Sequence, residues 1–353
     1  MTATSLSSRS ESPPSPGFFS RLGNNQAVLG ILFILPSLIG FILFFGVPAI
    51  RSVFISFQDW NLLTDAEYVG LANYQNILEL SFNPLASAEQ NSNDILPDDF
   101  DELLRVQIGD GGFVIGARDP RFYRALGTTV SYVLLNIPLQ TLLALGIAIL
   151  MEKAANSPLL RGVMILPWLM PNVIVAMLFI WLLDPTLGVI NIFLQQIGIG
   201  QQGFFGSPDQ ALASIAGVNI WRHMGYTAIL IFAGLKTIPK SLYEASRVDG
   251  ANGLVQFLRI TLPLLRPVLV FVFVTSIIGS FQIFDTVAVA TEGGPAGSTR
   301  TIIYYIYEQV FERRINMGVA TAASVVLFLI LVTVTLIQIR TFQGNQSDLA
   351  EYS

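Results

Sequence analysis

The chain has 353 residues, 52% hydrophobic and 12% charged, with a mean hydropathy of +0.61; soluble domains carry roughly 25% charged residues, so a soluble globular class is excluded. There is no cysteine and one histidine, which excludes disulfides, thiol chemistry and Cys-ligated metal and leaves almost no nitrogen ligands for zinc or haem. The net charge of -5 is set mainly by acidic loops and offers no basic face for nucleic acid.

Residues 1–26, MTATSLSSRSESPPSPGFFSRLGNNQ, are rich in Ser and Pro, and the expectation is a disordered tail that buries too little apolar surface to offset its ordering entropy. The charge-free run 22–50 follows. It exceeds the roughly 7–15 residues of a signal-peptide core and no A-x-A site follows it, so it is read as a first membrane span over about 27–47, with Pro48 marking the exit. The long segment 51–124 comes next, opening on FQDWNLLTDAEYVGLANYQNIL, whose aromatic and polar residues suit an interface. Within it, about 81–120 forms an acidic insert holding Glu89, Asp94, Asp98, Asp99, Asp101, Glu102, Asp110 and Asp119 against Arg105 and Arg118.

Further spans are expected over about 125–150, 162–183, 211–235, 267–289 and 318–339, each near the roughly 20 residues that cross hydrocarbon. Six spans put both termini on one side, and residues 341–353 form a second tail. With the N-terminus inside, the inner segments hold Arg9, Arg21, Lys153, Arg161, Lys236, Lys240, Arg247, Arg259, Arg266 and Arg340, against Arg300, Arg313 and Arg314 in the short outer loops. Positive charge near span ends stays in the cytoplasm, so both termini are expected there and the acidic insert outside.

Between the fourth and fifth spans lies a polar loop, 236–263, containing YEASRVDGANGLVQFLRITLP from Tyr243 to Pro263. Ser241 and Glu244, three apart, read as a capping box, and Gly250 reads as a stop or sharp turn, so the loop is expected to be a compact helix–turn–helix unit.

Two spans carry polar residues at helical spacing. Asn219, Arg222, His223 and Tyr226 share one face of the fourth span, and Ser276, Ser280, Ile283 and Phe284 form a stripe on the fifth. A charged side chain at mid-membrane costs about 2.5–3.5 kcal/mol on insertion scales. Arg222 and His223 therefore need a polar reason, either an interhelical ion pair, for example with Asp285, or a water-filled cavity facing a polar ligand. Asn136, Asn172, Gln282 and Asp285 are weaker candidates, and Pro138, Pro167 and Pro171 are positions where kinks open backbone to a cavity or only shape packing.

The cytoplasmic loop carries a resemblance. Glu244, Ala245, Ser246, then Gly250, Ile260, Leu262 and Pro263 keep the spacing of the EAA pattern of permease subunits in bacterial ATP-binding-cassette importers, with Ser246 in place of the pattern's second alanine. Phe284–Thr301 and SVVLFLI of the last span resemble the carbohydrate-uptake branch, which includes the maltose, α-glucoside, trehalose and glycerol-phosphate permeases. The likeness covers about 27–340 without the insert.

It implies an all-α polytopic protein of the bacterial inner membrane, with six transmembrane helices of the type I ABC importer permease fold. It also implies that Glu244, Ala245, Ser246, Asp249, Gly250, Ile260 and Pro263 belong to a coupling loop that docks on an ATPase. In the maltose permease subunit of that branch the sugar contacts lie on the fourth and fifth spans, so Asn219, Arg222, His223, Tyr226, Ser276, Ser280, Ile283 and Phe284 become the expected substrate path. No GxxxxGK[ST] occurs in the chain, so ATP and Mg belong to partner subunits, and the chain itself is expected to have no cofactor, metal or catalytic residue. The implied partners are a second permease, two cytoplasmic ATPases, an extracytoplasmic sugar-binding protein, lipid and a di- or oligosaccharide, α-glucoside or glucosylated compatible solute. An ion-coupled secondary carrier is the alternative, with Asp285 as its only acidic candidate at midplane.

Overall fold

The computed structural model describes residues 26–87, 89–153, 158–312 and 315–343. Most of the two expected tails lies outside the described residues, as do Arg313 and Arg314. The chain divides into two units, Met1–Phe54 and Ile55–Ser353.

In the first unit, helix α1 (Gln26–Phe41) passes through a π-helical turn, Ile42–Gly46, into α2 (Val47–Ile55). The helix does not end at the expected exit, Pro48, but continues through it. Proline has no N–H to give the preceding turn, and the widened turn just before it relieves that mismatch.

The second unit opens with a short antiparallel pair, β1 (Gln58–Asp59) and β2 (Glu67–Tyr68), and helix α3 (Ala72–Leu78). Strands β3 (Leu80–Leu85), β4 (Asp101–Ile108) and β5 (Gly111–Ala117) then form an antiparallel sheet in the order β3-β5-β4. Ile108 pairs with Gly111 across the two-residue turn Gly109-Asp110, and Gly109 sits at φ +64°, a conformation that hairpin turns require and glycine adopts freely. Leu85, Leu96 and Val114 form a small core of their own, with Ile95 and Phe100 packed on it. Asp94, Asp98, Asp99, Asp101 and Asp110 stay exposed around it. Hydrogen bonds from Ser92 and then Arg105 hold the Glu102 carboxyl below its ordinary range. The acidic insert is thus a folded β-subdomain, which corrects the all-helical expectation.

The rest is helical: α4 (Pro120–Lys153), α5 (Pro158–Leu169), α6 (Asn172–Leu182), α7 (Val189–Gln196), α8 (Pro208–Lys236), α9 (Lys240–Val248), α10 (Gly253–Gln256), α11 (Leu262–Phe281), α12 (Asp285–Ala290), α13 (Ile302–Tyr307) and α14 (Met317–Gln343). Among the described residues, four helical stretches are long and apolar enough to cross a membrane: 30–55, 120–152, 253–290 and 317–341. The expected third span, 162–183, is instead α5 and α6 meeting at 92°; counted as one broken span it makes five. Pro171 stands at that break, where the residue before a proline is pushed out of helical backbone. Helix α8 has 29 residues, long enough to span, but its polar residues keep it out of the apolar set.

The longest helix, α4, packs along α8, and the seam is made of small residues: Ala144, Ala148 and Ala228 are each 0% exposed. Close backbone approach of this kind is how helices associate where lipid removes the hydrophobic drive. Elsewhere on α4, Leu134 and Leu142 are 68% and 67% exposed, as a lipid-facing surface demands. Gly225 is the tightest point, since a Cβ there would stand 1.8 Å from the backbone oxygen of Met164 on α5. We expect Gly225→Ala to force α5 off α8 and to cost on the order of 1–3 kcal/mol, the usual range for overpacking. A drop in the thermal unfolding midpoint of the purified protein checks this; an unchanged midpoint would show that α5 yields freely.

Candidate functional site

Helices α4, α8 and α11 converge with two breaks, one between α5 and α6 and one between α11 and α12, around a cavity of about 430 Å³. The second break was not expected. Helix α11 ends at Phe281, and Phe284 has φ -139° and ψ -60°, so Ile283 and Phe284 lie beyond the helix rather than on its stripe. They line the cavity all the same, together with Ser276 and Ser280.

From α8, Asn219, His223 and Tyr226 line the cavity, and Arg222 does not. The Arg222 guanidinium reaches back to the broken span. Its Nε and Nη2 donate to Met170 O at 3.3 and 2.9 Å, and Nη2 also donates to Trp168 O at 3.1 Å. Those carbonyls belong to the end of α5, where helical partners run out. The expectation that Arg222 faces the ligand or pairs with Asp285 is therefore not what the geometry gives: the side chain serves as a tertiary C-cap, and Asp285 bonds elsewhere.

Arg222 Nη1 also meets His223 Nε2 at 3.0 Å. A guanidinium can only donate, so Nε2 accepts; Nδ1 then carries the proton and donates to Asn219 O at 2.9 Å. His223 is thus a neutral ring with both nitrogens engaged.

The weaker candidates all line the cavity. Asn136 Nδ2 donates to Ser280 Oγ at 3.2 Å and to Gln140 Oε1 at 3.3 Å, and Gln140 Nε2 donates to Thr227 Oγ1 at 3.0 Å, which links α4, α11 and α8. Asn172, at the start of α6, donates to Asp285 Oδ2 at 2.6 Å at the start of α12, so one hydrogen bond ties the two breaks together. Asn219 Nδ2 donates to Ile215 O and to Thr286 Oγ1. Two side-chain acceptors in the wall, Asn136 Oδ1 and Asn172 Oδ1, are buried with no partner. Unpaired buried acceptors are costly, and these two stand out in the wall.

One wall is aromatic. Trp168 stacks on Tyr226 with centroids 4.5 Å apart and planes at 9°. Gln140 and Trp168 were missed from the sequence. Gln140 carried a signal, lying four residues from Asn136 on one helix face in an otherwise apolar span; Trp168 faces the cavity only because the chain breaks just beyond it.

The loop 236–263 is a second candidate surface. Helix α9 starts at Lys240 with Pro239 at its N-cap and no side-chain cap, so the capping box of Ser241 and Glu244 does not form. Proline presets the entry and Ser241 falls inside the helix, where its hydroxyl no longer reaches a free N–H. The stop falls where expected: Gly250 has φ +81°, and the amides of Gly250 and Ala251 bond back to Arg247 O and Ser246 O in a glycine-terminated helix end. Ser246 Oγ donates to Tyr243 O and accepts from Gln256 Nε2 at 2.9 Å, and Tyr243 Oη meets Thr261 Oγ1 at 2.9 Å, so the loop is braced internally. Asn252 caps α10 by accepting from Val255 N. Glu244, Ala245, Asp249, Gly250 and Pro263 are exposed and Ser246 and Ile260 half-buried, while the apolar side chains of Val248 and Leu254 stand 88% and 67% exposed.

A family model described as binding-protein-dependent transport system inner membrane component matches residues 111–343. Curated relatives match over most of their length. A lactose transport system permease protein from Rhizobium radiobacter is 35% identical, over 65% of this chain and 79% of the relative. A sulfoquinovosyl glycerol transport system permease protein from Agrobacterium fabrum is 30% identical, over 89% and 90%. A trehalose/maltose transport system permease protein from Thermococcus litoralis is 28% identical, over 91% and 96%. Among solved structures, a chain of a bacterial ABC transporter involved in the import of the acidic polysaccharide alginate superposes with a TM-score of 0.68 at 21% identity, covering 92% of this chain and 98% of that one, a likeness of fold.

Proposed function

The chain belongs to the inner membrane components of binding-protein-dependent transport systems, and on that premise we propose that its cavity carries a di- or oligosaccharide, an α-glucoside or a glucosylated compatible solute across the membrane. The observation that carries the reading is the cavity wall. It sets the polar side chains of Asn136, Asn172, Asn219, Ser276 and Gln282 in one lining with a stacked Trp168–Tyr226 pair, around a volume of about 430 Å³. A sugar ring has a rim of hydroxyl donors and an apolar face, and this wall answers both; small-ligand sites occupy roughly 300–1,000 Å³. Asn219, His223, Tyr226, Ser276, Ser280, Ile283 and Phe284 belong to the substrate path, while Arg222 shapes it from behind.

In this reading α8 is a span despite its polar face, because that face lines the cavity, and the α5–α6 pair is another, giving six. Both termini lie in the cytoplasm and the β-subdomain outside. The protein pairs with a second permease, and Glu244, Ala245, Ser246, Asp249, Gly250, Ile260 and Pro263 seat the loop helix on one of two cytoplasmic ATPases, which supply the ATP chemistry. Closing of the ATPase pair pulls the loop helices and turns the cavity outward; hydrolysis turns it back. The sugar biases that equilibrium only through its different affinity for the two states. The exposed apolar side chains of Val248 and Leu254 support the docking, since a soluble loop gains nothing by leaving them in water.

Reconstitution of the transporter with its ATPases and binding protein in proteoliposomes tests the reading. The expected result is uptake of a labelled neutral glycoside that requires ATP and the binding protein. Uptake driven by a proton or sodium gradient without ATP would replace it with the secondary-carrier alternative.

A further inference from the structure

Neutral sugars and anionic solutes make different demands on the groups that line a transport cavity. The polar chemistry of the present cavity separates those two kinds of substrate.

Of the side chains that line the cavity, Asp285 alone carries a formal charge. The cation that sequence position would have offered, Arg222, does not line the cavity. Three of its hydrogen bonds go to the carbonyls of Trp168 and Met170, and Nη1 is directed at His223. His223 is held neutral by that donation, and its Nδ1 proton is taken by Asn219 O. Neither nitrogen is left to meet an anion. The other polar side chains that line the cavity, among them Asn136, Asn172, Tyr226, Ser276 and Gln282, are neutral, and the one charge is the Asp285 carboxylate that Asn172 holds at 2.6 Å. Sugar hydroxyls, which both donate and accept, pair with neutral groups and with a carboxylate alike. A phosphate, sulfonate or uronate would bring a second negative charge next to a carboxylate in a cavity whose lining holds no cation, where like charges repel more strongly than in bulk solvent.

We propose that Asp285 acts as a charge filter, so that the cavity takes uncharged glycosides and rejects the same glycosides bearing an anionic group. The proposal deepens the sugar-transport reading and rests on it. Asp285 is a specificity residue in this scheme, positioned by the bond that joins the two helix breaks.

The test uses matched pairs differing by one phosphate: maltose against maltose 6′-phosphate, and trehalose against trehalose 6-phosphate. Saturation-transfer NMR, which reads weak binding, is applied to the assembled transporter in lipid nanodiscs without the binding protein, so that the permease does the selecting. We expect the neutral sugars to bind at least tenfold more tightly than their phosphates, a gap worth about 1.4 kcal/mol. Asp285→Asn keeps an acceptor for Asn172 and should close most of that gap by raising phosphate binding, which simple steric exclusion of the larger phosphate would not allow. Ser276→Trp, which fills the cavity, should abolish binding of the neutral sugars. Equal binding of sugar and sugar phosphate by the unaltered protein, or a gap that survives Asp285→Asn, overturns the charge filter while leaving the sugar reading intact. Absence of carbohydrate binding, or binding untouched by Ser276→Trp, overturns the sugar reading itself and the filter with it.

Discussion

Gly250→Pro is expected to remove most substrate-stimulated ATP hydrolysis and uptake while leaving the protein folded in the membrane. Gly250 holds φ +81°, and its amide donates to Arg247 O at 3.1 Å. Proline is locked near φ -65° and has no N–H, so both features of the helix end are lost together and α9 can no longer turn back toward α10. The loop packs on its own braces, Tyr243–Thr261 and Ser246–Gln256, and not in the α4–α8 seam, so insertion and core packing should survive. Gly250→Ala is the graded control. It keeps the N–H and pays only the left-handed penalty of roughly 1–2 kcal/mol, so it should leave intermediate coupling. Glu244→Lys, a charge reversal on the exposed face of the same helix, should uncouple without touching the turn. Wild-type uptake in both Gly250→Pro and Glu244→Lys would remove this loop from the ATPase interface.

Arg222→Leu is expected to lower stability and to loosen the cavity wall together. It strips the carbonyls of Trp168 and Met170 of their donor where α5 breaks off. An unsatisfied buried carbonyl costs about 1–3 kcal/mol; the Met170 carbonyl is part-buried and the Trp168 carbonyl is open to water, so the expected loss is at most about that of one such group. His223 loses its fixed partner at the same time and is free to change tautomer. The measurement is the thermal unfolding midpoint alongside substrate binding: a lowered midpoint in Arg222→Leu, partly restored in Arg222→Lys, matches a capping role. An unchanged midpoint with binding alone reduced would return Arg222 to the ligand and take away the premise of the charge filter.

Much of this was legible in the sequence because it rests on local rules. The loop helix and its stop at Gly250 follow from backbone preference, and polar positions on α8 stood out because hydrocarbon makes them expensive. Other points were not legible. Ser241 and Glu244 match a capping box, yet Pro239 two residues earlier starts the helix and shifts the register. The spacing of Asn219, Arg222, His223 and Tyr226 places them on one side of α8, but a long side chain there can turn toward the ligand or toward a neighbouring helix. Only the position of α5's broken end decides that Arg222 turns away. The insert read as acidic, and its scattered apolar residues, Leu85, Leu96 and Val114, become a core only when three strands bring them together.

By itself the sequence determined that this is a membrane protein with several spans, that a structured polar loop interrupts them, and that polar chemistry sits within two of them. Apolar length, charge placement and glycine backbone are properties of short stretches, and the medium enforces them wherever the stretch lies. The tertiary structure alone decided where the helices break, which side chains share the cavity and which charge is left facing it. Those outcomes depend on hydrogen bonds such as Asn172–Asp285 and Arg222–Met170, whose partners lie 113 and 52 residues apart in the chain, and no local pattern records which distant carbonyl or carboxylate will be in reach.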